Sequence, residues 1–277
     1  MTVAEDSRAL TADGVTAVVP ARNAADLLPG CLTALVESGV AEIIVVDGVS
    51  TDATVEVAER FGATVVSDGG RGLPAARALG TARSAMPLVL LVDADVVFPA
   101  GVLDELLDDF ATGGYHALQA GLESVGGPGY WGQALAYHHR TGRSRHWFGL
   151  VATLIRRKDL LAEGFDDRFV SGEDIDLRWR LRDAGRRIGV SSRAVVVHRF
   201  AGDDFEFAKD QFLMDGAGLG RMLRTRRWRG APLALLPAAA ATRGTALAVV
   251  SRKPRWIRYF ASFLVWNYVG MGRGLLR

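Results

Sequence analysis

The stretch Val15–Asp52 reads VTAVVPARNAADLLPGCLTALVESGVAEIIVVDGVSTD. Val15–Val19 is a short apolar run, β-branched in part, that stops at Pro20, as a buried strand does. Asn23 offers a cap for the helix that follows, with Leu27, Leu28, Cys31, Leu32 and Leu35 on one face and Gly39 at its end. Glu42–Val46 is a second strand-like run, and Thr51 or Asp52 starts a second helix that ends near Gly62. Strand and helix alternate with short connections, the pattern of a parallel sheet wound with helices.

The alternation continues outward. Thr64–Val66 predicts a third strand, Leu73–Ser84 a helix and Leu88–Val92 a fourth strand. The fold class is therefore α/β, a doubly wound, mostly parallel and Rossmann-like sheet. Ligands of such sheets bind beyond the carboxyl ends of the strands. Those ends are Pro20-Ala21-Arg22-Asn23, Asp47-Gly48-Val49-Ser50 and Asp93-Ala94-Asp95. No G-x-G-x-x-G follows the first strand, which disfavours a dinucleotide site. After Asp95 the regular alternation stops, and residues 113–150, rich in Gly, aromatics and His, predict strands and loops on an acceptor side. Glu173–Ala184 predicts a helix closed by Gly185, and Val195–Val197 a short strand ending at His198.

Composition bounds the class. Of 277 residues, 49% are apolar and 23% charged, which excludes a disordered chain. The single cysteine, Cys31, excludes an intrachain disulfide and falls in a helical apolar pattern, so it reads as core and suits a reducing cytoplasm. Residues 1–14 carry Glu5, Asp6 and Asp13 without an apolar signal-peptide region and read as a loose leader. The net charge of +2 conceals a division. All 31 acidic residues lie at or before Asp215, whereas the segment 216–277 holds 12 Lys and Arg and no acid. The first 215 residues thus carry 21 basic against 31 acidic residues, a net of −10. The domain expectation is a leader over 1–14, a catalytic domain over 15–215 and a basic, apolar, helical tail over 216–277.

Three sets of residues carry chemistry. Asp93 and Asp95, two apart at the end of a buried strand, supply hard oxygen ligands suited to Mg²⁺ or Mn²⁺ with a diphosphate completing the shell. Taken alone, D-x-D also serves as a simple helix cap. Ser171-Gly172-Glu173-Asp174-Ile175-Asp176 opens a helix; its acids complement the helix dipole, and they also supply a carboxylate pair in a glycine-flanked turn. His198 stands at a strand end, where a lone histidine is more often structural than a ligand, though imidazole suits Mn²⁺ better than Mg²⁺. His138-His139 read as solvent or acceptor contacts, His116 as a surface residue, and Gly126-Gly127-Pro128-Gly129 as a flexible loop.

In order, these pieces resemble glycosyltransferase family 2, the inverting enzymes of GT-A fold. The resemblance rests on Val18–Asn23, Val45–Thr54, Gly72–Arg77, Asp93-Ala94-Asp95, Gly164-Phe165-Asp166 leading to Glu173-Asp174, and His198, and runs from about Val15 to about Arg227. It implies a nucleotide-sugar donor. Pro20, Ala21 and Arg22 would lie against base and ribose, Asp47 would bond the base edge, and Arg77 would face the nucleotide near the diphosphate. Asp93 would hold the ribose or the metal's outer shell, with Ala94 beside it. Asp95 would bind Mg²⁺ or Mn²⁺, with His198 as a further ligand. Asp174 would deprotonate the acceptor hydroxyl and Glu173 would place acceptor or donor sugar. One base without a second carboxylate nucleophile implies single displacement with inversion. The sequence departs from the family at Val49, where a glycine is usual.

The tail adds a location. Ala231–Val250 has about the length of a membrane span but contains Pro232, Pro237, Arg243 and Gly244. Trp256–Met271 carries Trp256, Tyr259, Phe260, Phe263, Trp266 and Tyr268 beside Arg252, Lys253, Arg255 and Arg258, a mixture suited to the membrane interface. The expectation is a metal-dependent transferase at the inner face of the cell membrane. It would move a sugar from a UDP-sugar, or a GDP-sugar, to a lipid-linked or membrane-bound hydroxyl or phosphate acceptor. The apolar content speaks against nucleic acid as the tail's partner, and burial of the tail in a homodimer is the alternative to the membrane. A nucleotidyltransferase and a non-catalytic membrane-attached scaffold of the same fold are the competing readings. The former lacks its glycine-rich signature at the first strand, and the intact Asp95, Asp174 and His198 count against the latter.

Overall fold

The computed structural model describes residues 10–142, 148–166, 169 and 171–276. Its contacts divide the described residues into two compact units: one of residues 10–122, 148–165 and 177–197, the other of 123–142, 166, 169, 171–176 and 198–276.

The first unit holds the sheet. Its elements run β1 (Val15–Ala21), α1 (Leu28–Glu37), β2 (Glu42–Asp47), α2 (Thr54–Arg60), β3 (Thr64–Ser67), α3 (Leu73–Arg83) and β4 (Leu88–Val92). There follow β5 (Val96–Val97), α4 (Val102–Thr112), β6 (Ala117–Val125), β7 (Ala152–Arg156), α6 (Arg157–Glu163) and β8 (Ile188–Arg199), with α5 (Tyr130–Thr141) and α7 (Glu173–Asp183) between them in the chain. The eight strands lie in the order β3-β2-β1-β4-β7-β6-β8-β5. β3, β2, β1 and β4 are mutually parallel, and β7 joins β4 and β6 antiparallel, so the sheet is mostly parallel with a mixed side, as expected. Alternate side chains leave on opposite faces. Val15, Ala17, Val19, Val45, Leu88 and Leu90 pack with Leu28, Leu32, Leu35, Val57, Leu103 and Phe110, whereas Val18, Ile44, Val46, Val89 and Leu91 pack with Ala76, Leu160, Leu177 and Leu181. Cys31 is fully buried in the first of these cores.

Several expectations need correction. β1 and β2 run on through Ala21 and Asp47, so Pro20 and Ala21 belong to a strand. Pro20 is tolerated because β4 pairs with β1 only as far as Val18, leaving one neighbour where the ring removes a donor. Asn23 caps no helix: α1 starts at Leu28 behind Leu27, and Asn23 Oδ1 instead accepts from Thr51 N at 2.9 Å. Residues 113–150 hold the expected strand in β6, but also the twelve-residue helix α5, which was not expected there. His198 lies inside the twelve-residue strand β8 and not after a three-residue one. His116 is no plain surface residue, since its Nδ1 bonds Asp159 Oδ2 at 2.6 Å beside the Arg186–Asp159 ion pair at 3.1 Å.

The second unit is helical. After α5 come α8 (Phe205–Arg226), α9 (Leu236–Val250) and α10 (Ile257–Leu276). The boundary expected at Asp215 falls inside α8. Trp131, Leu135, Tyr137, Phe212, Trp256, Tyr259 and Phe260 form its core. α8 and α10 touch backbone to backbone: a Cβ on Gly216 would lie 2.1 Å from Asn267 O, on Gly220 2.1 Å from Met271 O, and on Gly270 2.3 Å from Leu213 O. Partners ascend together along both helices, so the pair is parallel. Only glycine permits that approach.

Candidate functional site

Parallel pairing sends the carboxyl ends of β1, β2 and β4 to one edge of the sheet. That edge gathers Arg22, Asp47 and Asp93–Asp95. Gly48 N donates to Ala21 O at 2.8 Å, and a Cβ on Gly48 would sit 3.2 Å from Arg22 Cβ, so a larger residue would press on the Arg22 stem. Arg22 itself is exposed.

Asp47 is 7% exposed, and its carboxylate accepts from Val49 N at 3.1 Å and Ser50 N at 3.2 Å. Asp47 thereby builds the turn as well as facing the edge. Val49 takes φ 62°, the left-handed region that its branched side chain resists. The turn thus keeps a glycine-type conformation without the glycine. Asp68, which the sequence reading passed over, does the same for the next loop, accepting from Gly70 N at 2.7 Å and Gly72 N at 3.1 Å ahead of α3. The signal was an Asp followed by three glycines within four positions.

Arg77 is 3% exposed. Its guanidinium donates to Asp93 Oδ1 at 2.8 Å, with Leu150 O at 3.5 Å. The arginine expected at the nucleotide therefore lies beneath the edge and holds the first carboxylate of D-x-D in place. Asp93 N donates to Val151 O at 2.9 Å and Val96 N to Asp93 O at 3.0 Å, so the Asp93-Ala94-Asp95 turn is fixed at both sides. Asp93, Ala94 and Asp95 are each half-buried.

Glu173, Asp174 and His198 belong to the second unit. Gly172, with φ 85°, precedes α7 and lies so near α8 that a Cβ would be 3.0 Å from Gly218 Cα. Glu173 is buried and Asp174 half-buried at the helix start, where the dipole favours their charge. Asp176 is committed to an ion pair with Arg226, which removes it from the candidates for base. Asp215 on α8 is the residue the sequence reading missed, since an acid in a helix interior gives no signal. Removal from bulk water, then the neighbouring Asp174 charge, push it up to about 7, although the residue keeps an open face.

His198 is 9% exposed, with its ring 4.8 Å from Phe200 and 6.2 Å from His139. His138 and His139 are not the solvent contacts expected. His138 Nδ1 bonds Tyr259 Oη at 2.9 Å, and burial lowers it to about 4. Burial, then the His138 and His198 charges, lower His139 to about 3. Both are neutral members of an aromatic cluster. The Gly126–Gly129 loop is tied down, with Gly129 N donating to Asp203 Oδ2 at 2.7 Å.

Among the described residues, no three His, Cys, Asp or Glu side chains converge as a metal cage. The donors at the sheet edge are carboxylates, one of whose oxygens is committed to Arg77. Such a set suits a hard cation that draws its remaining oxygens from a diphosphate and water, and does not suit a metal held by protein alone.

The family described as Glycosyl transferase family 2 matches residues 16–163, more than half of the chain. Succinoglycan biosynthesis protein ExoA of Rhizobium meliloti is 25% identical over 212 residues, 68% of this chain and 64% of that protein. Pre-mycofactocin glycosyltransferase of Mycobacterium tuberculosis is 29% identical over 202 residues, 66% of this chain and 42% of that protein. The chain thus spans less than two thirds of these curated relatives. Among solved structures, the mannosyltransferase PcManGT from Pyrobaculum calidifontis, in complex with GDP-Man and Mn²⁺, superposes with a TM-score of 0.64 at 20% identity, covering 92% of this chain and 86% of that one. S. aureus TarS 1-349 in complex with UDP gives 0.54 at 17% identity, covering 93% and 90%. The fold is GT-A.

Proposed function

The chain belongs to glycosyl transferase family 2, and we propose that it transfers a sugar from a nucleotide-sugar to a membrane-bound acceptor, with inversion and with a divalent cation. The observation that carries this reading is the sheet edge, where Arg22, Asp47 and the Asp93–Asp95 turn stand together at the carboxyl ends of parallel strands. Arg22 and Asp47 bind the nucleoside. Asp47 has oxygen capacity beyond its own turn for one imide N–H, a group that uracil and guanine share. A UDP-sugar is placed first and a GDP-sugar second. Asp95 holds Mg²⁺ or Mn²⁺, with His198 as a further ligand, and Asp93 supports it from its bond to Arg77. The cation, when bound, offsets the charge that develops on the leaving diphosphate.

Asp174 takes the proton of the acceptor hydroxyl, and Glu173 places the sugar. An alcohol is a weak nucleophile until a carboxylate within hydrogen-bond reach accepts its proton. Attack opposite the leaving diphosphate inverts the sugar carbon.

The acceptor reading rests on the tail. Trp228 and Val250 are each 81% exposed and Leu235 68%, in a segment with 12 positive charges and no negative ones. Ala231–Val250 passes the length and hydropathy test for a membrane span, but its Pro232, Pro237 and Arg243 favour seating at the interface. Anionic lipid attracts each such cation by about 1 kcal/mol. The reading places the protein at the inner face of the cell membrane.

The test is hydrolysis and transfer from labelled UDP- and GDP-sugars, with Mn²⁺, with Mg²⁺ and in excess chelator. Turnover of one donor that disappears with chelator and in Asp95→Asn supports the reading. Full activity under either condition removes the metal from it.

A further inference from the structure

A second polar cavity lies wholly within the helical unit, among residues assigned neither to donor, cation nor base. It measures about 180 Å³ and is bounded by Gln133, Tyr137 and Arg140 of α5 and by Lys253, Arg255 and Trp256 between α9 and α10. That is far more than the ~10–15 Å³ one water needs. Three of these residues are cations, and no carboxylate lines the cavity among the described residues. None of the three forms an ion pair among the described residues, in a region whose sequence supplies no acid after Asp215.

The donors are held ready. The Arg255 guanidinium carbon stands over the Trp256 ring, 4.1 Å from its centre, close enough for cation–π attraction. Trp256 is 3% exposed and stacks on Tyr137 at 5.5 Å. Its indole Nε1–H is buried and, among the described residues, has no hydrogen-bond partner. Buried donors are ordinarily satisfied, so this one calls for an acceptor from outside the protein. Lys253 stands 5.7 Å from the Tyr137 ring, and Arg140 spends one nitrogen on Ser124 O at 3.1 Å.

We propose that this cavity binds the phosphate of a phosphate ester, with Arg140, Lys253 and Arg255 around the oxygens and the Trp256 N–H donating to one of them. A phosphate presents several acceptors and nearly two charges, which suits three cations and a neutral donor arriving from different sides better than a single carboxylate does. The site stands independently of the transfer reaction. It adjoins the exposed Val249 and Val250 at the end of α9, so a lipid headgroup and a soluble phosphate ester are both able to supply that chemistry.

The experiment uses the full-length protein. Tryptophan fluorescence is followed during titration with inorganic phosphate, against chloride at equal ionic strength, and sedimentation is measured with vesicles of phosphatidylcholine with and without phosphatidic acid. Saturable phosphate binding is expected, weakened about tenfold in Arg255→Gln and in Lys253→Gln, as for loss of one charge-assisted bond. Trp256→Phe keeps an aromatic ring but removes the indole's pyrrole ring together with its N–H, and should weaken binding without loss of helical signal. Should that variant misfold, the two charge variants carry the test. Competition between phosphate and phosphatidic acid vesicles identifies a headgroup; phosphate binding with vesicle attachment indifferent to the variants identifies a soluble ester. Absence of saturable binding, or binding that all three variants leave unchanged, overturns the proposal.

Discussion

Gly270→Ala and Gly272→Ala, two residues apart on α10, should move stability in opposite directions. A Cβ on Gly270 would lie 2.3 Å from Leu213 O and 3.0 Å from Leu213 C, whereas one on Gly272 meets nothing within 4 Å. Real Cβ atoms do not approach closer than 3.0 Å, so at Gly270 one backbone must retreat by at least 0.7 Å. A gap of ~0.5–1 Å forfeits a quarter to a half of each dispersion contact along the seam. Overpacking of this kind costs about 1–3 kcal/mol. Alanine returns ~0.5–1 kcal/mol of helix propensity at both positions. The net is a loss of about 0.5–2 kcal/mol for Gly270→Ala and a gain of about 0.5–1 kcal/mol for Gly272→Ala.

The assay is urea unfolding of both variants and the parent, followed by far-ultraviolet circular dichroism and by tryptophan fluorescence, with midpoints compared at constant slope. The sign difference is the discriminating result, since both substitutions raise propensity equally. If both variants gain stability, α8 and α10 do not pack backbone to backbone. Gly218, on the same helix α8, lies against Ser171 and Gly172 at the start of α7, so the seam also supports the turn that carries Glu173 and Asp174.

Asp174→Asn keeps the shape and the helix-start acceptor but removes the base, so transfer should fall about 10²–10⁴-fold while calorimetry finds nucleotide binding intact; near-normal transfer assigns the proton to another group. His138 and His139 titrate at about 4 and about 3 when folded against an ordinary 6.5. Their lowered values contribute stability that is present above 6.5 and is lost as pH falls through that window, because the unfolded chain takes up the protons first. His138→Gln should therefore flatten the fall in melting temperature between pH 6.5 and 4, and an unchanged slope would contradict the burial of the ring. Val49→Gly should stabilise by about 0.5–1 kcal/mol, as release of ~1–2 kcal/mol of left-handed strain exceeds the entropy glycine adds to the unfolded chain. A loss on denaturant titration would show that Val49 contacts outweigh the strain.

The parallel half of the sheet was legible because each strand there is a continuous apolar run closed by a polar turn. Val15–Val19, Glu42–Val46 and Leu88–Val92 differ from the observed strands by two residues at most. α4 was legible too, in Leu103, Leu106, Leu107 and Phe110 at helical spacing, but the reading broke off at Asp95. α5 was obscured: Trp131, Ala134, Leu135 and His138 have helical spacing, yet two histidines and a run of glycines before it read as loop. Of the site, the residue types were legible and their bonds were not. Arg77 reads as a ligand group because arginine commonly faces phosphate; only the fold reveals that one of its guanidinium nitrogens donates to Asp93.

The tail shows where composition stops deciding. Its aromatics read together as a surface belt, but Trp256, Tyr259 and Phe260 are buried, while Tyr268, Trp228, Val249 and Val250 are among the exposed residues. A helix with apolar residues on every side gives no face to read. The division was set instead by glycine, which appears in a hydropathy pattern only as a weak residue. Gly216 and Gly220 meet α10, Gly270 meets α8, and Gly244 meets the Phe260 ring, where a Cβ would lie 2.1 Å from Cε1. Each marks a side of its helix that must face protein, so the opposite side is the one left for solvent or lipid. By that rule Val265 and Val269, both exposed and on the far side of α10 from Asn267 and Met271, belong with Trp228 and Val250 on any surface that meets a bilayer.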